Sequence, residues 1–521
     1  MVFYLQVHYT HITFILKGEF GERSTTMTRR SRFMPIMLVL LTTLAAAQLS
    51  LALTSSTPSY DFYDPLIDVH RLVVDRHISE PDEKAMQEAA IHAMLESLDD
   101  PYSVYIPARE IDTFTKDLEG DYAGIGAEVI MVENDDQLEL MIITPMEGSP
   151  ALKSGILAGD IIESIDNELA TNATIKELVD RLTGPVGTDV LLHVRHPNGE
   201  EEDITVTRGH IISRTVFGLI RKNQQWSWCL DDDLGIGYIR IRQFTSNTLR
   251  ELQAALILLK NENLANGLVL DLRDNPGGAL DAAVGIVDIF LAEGQIVSVT
   301  GRSKPMSDVK ATPKTMFDDV PILIMVNGNS ASASEIVAGA LQGHDRAVVL
   351  GSRSFGKGSV QEVQEISGGL LKLTVARYDL PTGRTIDKKL TEDISLWGVD
   401  PNEGLVVIES AEDFVVRIDR TQPYRVITNN EPDDAVCGNA EWIETALGDF
   451  QLAQALRAFT AKLSDDTWPT LSEDDPVIAS IENELDNLAK ARELHLKAIE
   501  KIKSRVAILQ GTSTKEEVLK E

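Results

Sequence analysis

The chain has 521 residues, 43% of them hydrophobic and 25% charged, which is enough apolar material to bury several cores and excludes a disordered polymer; about two to four domains are expected. A formal net charge of −33 repels phosphate backbones, and no basic run with interleaved aromatics offsets it, so nucleic-acid binding is excluded and a solvated acidic surface is expected. The two cysteines, Cys229 and Cys437, have no CxxC spacing and no companion histidines, which excludes a structural zinc site and leaves open whether they pair.

Arg29, Arg30 and Arg32 precede an apolar run over 33–47, and Ser50-Leu51-Ala52 supplies the small-x-small pattern that a signal peptidase reads. Residues 27–52 are therefore read as a signal peptide for export to the periplasm or envelope; the run is short for a bilayer span of about 20 residues, so an uncleaved anchor is the weaker alternative. Residues 1–26 have no charged lead-in of their own and are read as an upstream extension, with Met27 as the start. Leu66, Val69, Leu72 and Val73 recur at helical spacing, and a second stretch from Lys84 to Leu98 is stopped by Asp99-Asp100-Pro101, so 56–119 is expected to be a helical segment.

From 120 to 209 the texture changes to short apolar runs punctuated by glycine, with strands expected at 123–130, 138–143, 159–162 and 190–194 and one helix at 175–182. Region 210–410 alternates apolar strands (236–241, 267–272, 320–326, 348–351, 371–376) with helices (247–260, 280–290, 334–341), which predicts an α/β layer architecture. Residues 411–521 read as helix-rich. Ile478, Ile481, Leu485, Leu488, Ile499, Ile502, Val506 and Leu509 keep a 3-4 spacing broken around Arg492 and His495, which fits either packing on the same protomer or an oligomer contact.

Three segments carry chemistry. Ser330-Ala331-Ser332-Ala333-Ser334-Glu335 lies where an apolar strand gives way to a helix; a serine there exposes its hydroxyl beside free helix N–H groups, although it equally serves as a helix cap, with Glu335 completing a capping box on Ser332. Phe355-Gly356-Lys357-Gly358-Ser359-Val360-Gln361 places a lysine between glycines without the spacing of a phosphate-binding loop, and Gln361 falls on the same side as Lys357, where its amide can orient an amine. Asp271-Leu272-Arg273-Asp274-Asn275-Pro276-Gly277-Gly278 ends an apolar strand in a glycine pair, which admits close backbone approach to a ligand and also suits a plain turn.

Together with Ile236-Gly237-Tyr238-Ile239-Arg240-Ile241, Pro381-Thr382-Gly383-Arg384-Thr385-Ile386 and Leu98-Asp99-Asp100-Pro101-Tyr102-Ser103, these segments resemble the carboxyl-terminal processing peptidases over about residues 60–410. The resemblance implies a multidomain α/β and β protein: an α/β peptidase core with an inserted PDZ domain at 120–209, a helical N-terminal segment and a helical C-terminal region. It implies Ser332 as nucleophile, Lys357 as general base, Gln361 holding the lysine amine, and the N–H groups of Ala333 and Gly278 as oxyanion hole, with no cofactor or metal. Tyr122-Ala123-Gly124-Ile125-Gly126-Ala127 resembles a PDZ carboxylate-binding loop, so Gly124, Ile125, Gly126 and Ala127 are expected to capture a free C-terminus. Many members of that family carry a basic residue just before the glycine of the following turn, where this chain has Thr183 before Gly184, which puts gating by such a residue in doubt. The implied partners are protein or peptide substrates with free C-termini, an envelope activator protein, and further copies of the chain through the C-terminal helices. A Ser-His-Asp site using His344 and Asp345 lacks the GxSxG turn it needs. A non-catalytic PDZ scaffold or adaptor in the envelope is the other alternative, against which the presence of Ser332, Lys357 and Gln361 counts.

Overall fold

The computed structural model describes residues 60–509, except 120, 135–136, 172, 304–305, 318, 390–392, 394–395 and 433–434. The upstream extension and signal peptide read at 1–52 lie outside the described residues. Two compact units divide between Gln87 and Glu88. In the first, helix Asp64–Arg76 starts with proline in its first turn and an acidic residue there, and ends on Arg76, matching the helix dipole at both ends. A second helix covers Glu83–Glu96.

Four adjacent parallel strands organise the larger unit: Ile236–Ile241, Gly267–Asp271, Ile322–Val326 and Ala347–Gly351. Short antiparallel strands, Val216–Phe217 and Cys229–Asp231, pair with the first of them. Each parallel strand is a nearly unbroken apolar run because both faces of the sheet are covered. Side chains alternate between the faces. Ile239, Leu268, Leu270, Ile322, Ile324 and Val349 pack with Leu252, Leu256, Ile286, Val287, Ile336 and Val337 of the crossover helices Thr248–Asn261, Leu280–Phe290 and Ala333–Gly343. Tyr238, Val269, Leu323, Met325 and Leu350 face the other way, onto Leu452, Ala455, Leu456 and Phe459 of the C-terminal helix Phe450–Asp465. The C-terminal region is thus one wall of the core.

A second sheet joins Val104–Pro107, Gly369–Asp379, Gln295–Gly301 and Ser307–Lys310, with Ser359–Ile366 paired to Gly369–Asp379. Its first strand sits in a segment read as helical from sequence. Val-Tyr-Ile-Pro has only four residues, and its partner, Leu370 to Lys372 among others, lies far along the chain. The inserted domain has its own sheet, Ala127–Asn134, Gln137–Pro145, Ile161–Ile165, Asp189–Arg195 and Glu201–Thr207, around a core that includes Leu140, Ile142, Ile156, Leu178 and Leu192. Strand Asp121–Gly124, pairing with Gly209–Ile212, closes its base, so the apolar run read as one strand over 123–130 breaks at Gly124 and Gly126 into two. Helix Ile175–Leu182 has the bounds expected and is held by a Thr174/Glu177 capping box.

Candidate active site

The three chemistry-bearing segments leave the carboxyl ends of neighbouring parallel strands: the glycine-pair loop follows Gly267–Asp271, the serine cluster follows Ile322–Val326, and the lysine loop follows Ala347–Gly351. This is the end of a parallel sheet at which ligands bind, because loops from adjacent strands converge there. They border a cleft of about 400 Å³ lined by Ser332, Ala333, Gly278, Lys357, Gln361 and Tyr378, among others.

The three serines differ in what their hydroxyls do. Ser330 Oγ is buried and donates to the carbonyl of Leu272 (2.8 Å), and Ser334 Oγ is buried and donates to the carbonyl of Asn275 (2.9 Å). Both stitch the serine turn to the glycine-pair loop. Ser332 Oγ instead reaches the cleft, where it hydrogen-bonds the hydroxyl of Tyr378 at 2.7 Å. Ser332 has φ 57° and ψ −113°, a left-handed conformation that costs a non-glycine residue about 1–3 kcal/mol and persists only where its surroundings hold it.

Glu335 is one of the groups that hold it. This carboxylate, fully buried, accepts the N–H of Ser332 (2.7 Å), the hydroxyl of Ser354 (2.5 Å), and the N–H groups of Gly356 (2.7 Å) and Lys357 (2.9 Å). Its backbone N–H goes to the carbonyl of Ser332 (2.9 Å). The residue read as half of a capping box is therefore also the tie between the serine turn and the lysine loop. Burial pushes its pKa up to about 7, against the four donors, which favour the ionised form.

Lys357 extends its amine over the ring of Tyr102, 4.4 Å from the centroid. Burial, helped by the charge of Lys372, holds its pKa below the ordinary lysine range, while Glu335 and Asp100 pull the other way. Gln361 lines the same cleft, but its amide nitrogen donates to Ser359 Oγ (2.9 Å) and Thr374 Oγ1 (3.2 Å). Its Oε1, the atom an amine would bond, has no partner among the described residues.

The glycine-pair loop approaches the serine turn closely. A Cβ on Gly277 would stand 2.7 Å from that of Ser332, and one on Gly278 would stand 2.0 Å from the carbonyl oxygen of Phe244, so neither position tolerates a side chain. Asn275 ties this loop to the serine turn through its carbonyl, which accepts the N–H of Ala331 (3.0 Å). Beneath it, Arg273 binds Asp271 (2.7 Å) and, from the C-terminal region, Asp449 (2.8 Å), all three fully buried. Arg417 reaches Asp274 at 2.9 Å. The C-terminal wall thus anchors this loop by paired charges, whose partners lower the pKa values of Asp271 and Asp449 although burial alone would raise them.

Ala333 opens helix Ala333–Gly343, so its N–H has no intrahelical acceptor. His344 sits past the opposite end of that helix, about 16–18 Å from Ser332 by helix rise, with its ring on the carbonyl of Gln295 (2.7 Å). A Ser332-His344 pair is excluded by that distance. In the inserted domain, Gly126 has φ 75° and Ile125 is buried, and Thr183 bridges Gly124 across the backbone. Sequence reasoning missed Tyr102, Tyr378 and Lys372; Tyr378 and Lys372 line the cleft from another strand and Tyr102 stands against the Lys357 amine, and no local spacing marks them.

Residues 235–402 match Peptidase family S41, 52–110 match the Activating protease CtpB N-terminal domain, and 141–196 match a PDZ domain. A carboxy-terminal-processing protease of Bartonella bacilliformis is 34% identical over 412 residues, covering 77% of this chain and 89% of its own length. A protein of Staphylococcus haemolyticus named "Probable CtpA-like serine protease" is 36% identical over 307 residues, 58% of either chain. Among solved structures, a photosystem II D1 C-terminal processing protease is similar at 27% identity over 66% of this chain and 86% of its own, with a TM-score of 0.37.

Proposed function

The chain belongs to peptidase family S41, among the carboxy-terminal-processing serine proteases with a PDZ domain, and from that premise we propose that it cleaves near the C-termini of exported proteins with Ser332 as nucleophile and Lys357 as general base. The neutral Lys357 amine takes the proton of Ser332 as Oγ attacks the scissile carbonyl, displacing its bond to Tyr378. The N–H groups of Ala333 and Gly278 stabilise the oxyanion. The scissile C–N bond then breaks as Lys357 returns the proton to the leaving amine, giving the acyl-enzyme on Ser332. A water deprotonated by Lys357 attacks the ester, releasing the new carboxyl end and restoring the serine hydroxyl. In this reading Gln361, whose Oε1 has no partner among the described residues, takes up the amine during the reaction. The observation that supports this most is that Ser332 directs its hydroxyl into the cleft that Lys357 lines, while Ser330 and Ser334 are spent on buried carbonyls.

A serine-directed acylating probe is expected to label Ser332, with no label in Ser332→Ala; mass mapping of the adduct checks it. A label on another serine, or equal labelling of the variant, removes the assignment. Capture of free C-termini belongs to the Gly124–Ala127 loop in this reading, where a nest of N–H groups meets a carboxylate.

The C-terminal helix Pro476–Leu509 supports self-association. Leu485 and Leu488 are each 61% exposed and Ile478 57%, while Ser480 accepts the N–H of Arg353; the side chains of Ile499, Ile502, Val506 and Leu509 lie outside those described. Removing residues 474–521 is expected to lower the sedimenting mass while Ser332 still takes the probe. An unchanged mass distribution returns the helix to packing on its own protomer. No helix among the described residues is long and apolar enough to cross a membrane, and export rests in this reading on the segment at 27–52.

A further inference from the structure

A cavity of about 420 Å³, separate from the catalytic cleft, lies where the inserted domain, the parallel-sheet core and the C-terminal region meet. Part of its wall is apolar, with Pro145, Met146, Phe217, Trp226 and Ile418, yet five arginines and three glutamates also line it. An excess of cations is against the grain of a chain with a net charge of −33. Most of these charges are matched. Glu147 pairs with Arg214 (3.0 Å) and Arg221 (2.9 Å), Glu128 pairs with Arg242 (2.8 Å), and Glu251 accepts the N–H groups of Thr215 (2.8 Å) and Val216 (3.1 Å).

Arg240 and Arg425 are left over. Asp274 Oδ2 stands 3.8 Å from Arg240 and is already bound by Arg417 at 2.9 Å. Among the described residues, Arg240 Nε is buried without a hydrogen-bond partner, as is Nε1 of Trp226. Arg425 donates through Nε to the carbonyl of Leu219 (3.2 Å) and pairs with no carboxylate among the described residues. Burial and the neighbouring charge of Arg240 push its pKa down to about 10. The buried carboxylates Asp271 and Asp449 offset part of the Arg425 charge, but Arg273 already engages both, so the two guanidiniums repel each other with no carboxylate of their own, and an anion placed between them removes that cost.

We propose that this cavity is a binding site for a small organic carboxylate, its head between Arg240 and Arg425 and its apolar part against Phe217, Trp226 and Met146. Paired guanidiniums suit the two-oxygen geometry of a carboxylate. Asp274 already takes part of the charge of Arg240, so a single negative charge balances the site better than a phosphate dianion. The volume suits a small molecule with an apolar body and few polar anchors. The site also lies at a joint: Ile427 donates its N–H to Thr144 Oγ1 (3.0 Å) and accepts that of Ala158 (3.1 Å), holding the inserted domain to the C-terminal region beside the cavity. Occupancy ties the inserted domain to the core.

Calorimetric titration of the full chain with octanoate and with acetyl-leucyl-leucine, each beside its uncharged amide and beside inorganic phosphate, tests the site. At least one carboxylate is expected to bind saturably, about tenfold or more tighter than its amide, and to lose about tenfold or more in affinity in Arg425→Gln. Binding of octanoate alone assigns a fatty-acid source, and binding of the peptide alone a peptide C-terminus; either supports the site. No saturable carboxylate binding at millimolar concentration, equal binding of the amides, tighter binding of phosphate, or carboxylate affinity unchanged in Arg425→Gln overturns it. The amide comparison uses the unmutated protein, so it decides even if the variant folds poorly.

Discussion

Replacing Lys357 by arginine is expected to lower kcat/KM by about 10⁴-fold near neutral pH, the upper end of what one general base supplies. A lysine at its ordinary pKa of about 10.4 is almost wholly protonated there and cannot accept a proton from a serine. In this site burial, first of all, and the charge of Lys372 shift Lys357 downward. An arginine keeps the charge and approximate length but cannot deprotonate at accessible pH. The loss is expected in kcat, with KM little changed, because the proposed general base acts on the reacting proton. Lys357→Met separates chemistry from folding. The folded-state pKa is depressed, so the unfolded chain binds the proton more tightly, and wild-type stability rises with pH from the folded pKa of Lys357 up to the ordinary lysine value. Methionine removes that pH-dependent cost, so the methionine protein should be folded at neutral pH and equally inactive. Denaturant unfolding beside initial rates checks both.

Glu335→Gln is expected to lower kcat/KM by about 10²-fold. The wild-type carboxylate accepts from two donors on each oxygen: Ser354 and Gly356 on Oε1, Ser332 and Lys357 on Oε2. A glutamine keeps one oxygen and sets an NH₂ against the other two donors, leaving groups unpaired at a cost of about 1–3 kcal/mol each. The left-handed Ser332 and the lysine loop then lose their common anchor.

The pH dependence has a definite sign. The folded-state pKa, near 7, stands above the ordinary value of 4.5, so between these values the folded state binds more protons. Stability falls as pH rises through this window, by about 3 kcal/mol at 1.36 kcal/mol per pH unit, even as the ionised carboxylate gains its four donors. The glutamine protein lacks that slope. Unfolding at about pH 4 and pH 8 for both proteins measures the difference; equal slopes would mean that Glu335 does not titrate there.

Much of this was legible in the sequence because parallel strands covered on both faces must be apolar throughout. Strand Ile236–Ile241 and helix Leu280–Phe290 have the bounds their patterns predict, and helix Ala333–Gly343 extends the expected 334–341 by one residue at its start and two at its end. The serine, lysine and glycine-pair segments were visible as clusters of small residues at strand ends. What joins them was not. Tyr378 comes from a long strand of the second sheet, Tyr102 from the turn before Val104–Pro107, and Asp449 from a helix cap well over a hundred residues beyond Arg273. Such partners are set by packing, and local periodicity carries no information about them. Gln361 shows the same limit: its place on the cleft follows from spacing, but its second acceptor, Thr374, is set by the neighbouring strand Gly369–Asp379.

In the proposed mechanism a lysine, and no histidine, takes the proton from Ser332. Initial rates on one unfolded protein substrate, from about pH 5 to 10, should be measured for the wild type, His344→Ala and Lys357→Arg. Activity is expected to rise with pH in the wild type and to keep that rise in His344→Ala, because His344 lies at the far end of the helix from Ser332 with its ring on the Gln295 carbonyl. The arginine protein should be inactive across the range. Loss of the rising limb in His344→Ala, or substantial activity in Lys357→Arg, would contradict the Ser332/Lys357 dyad.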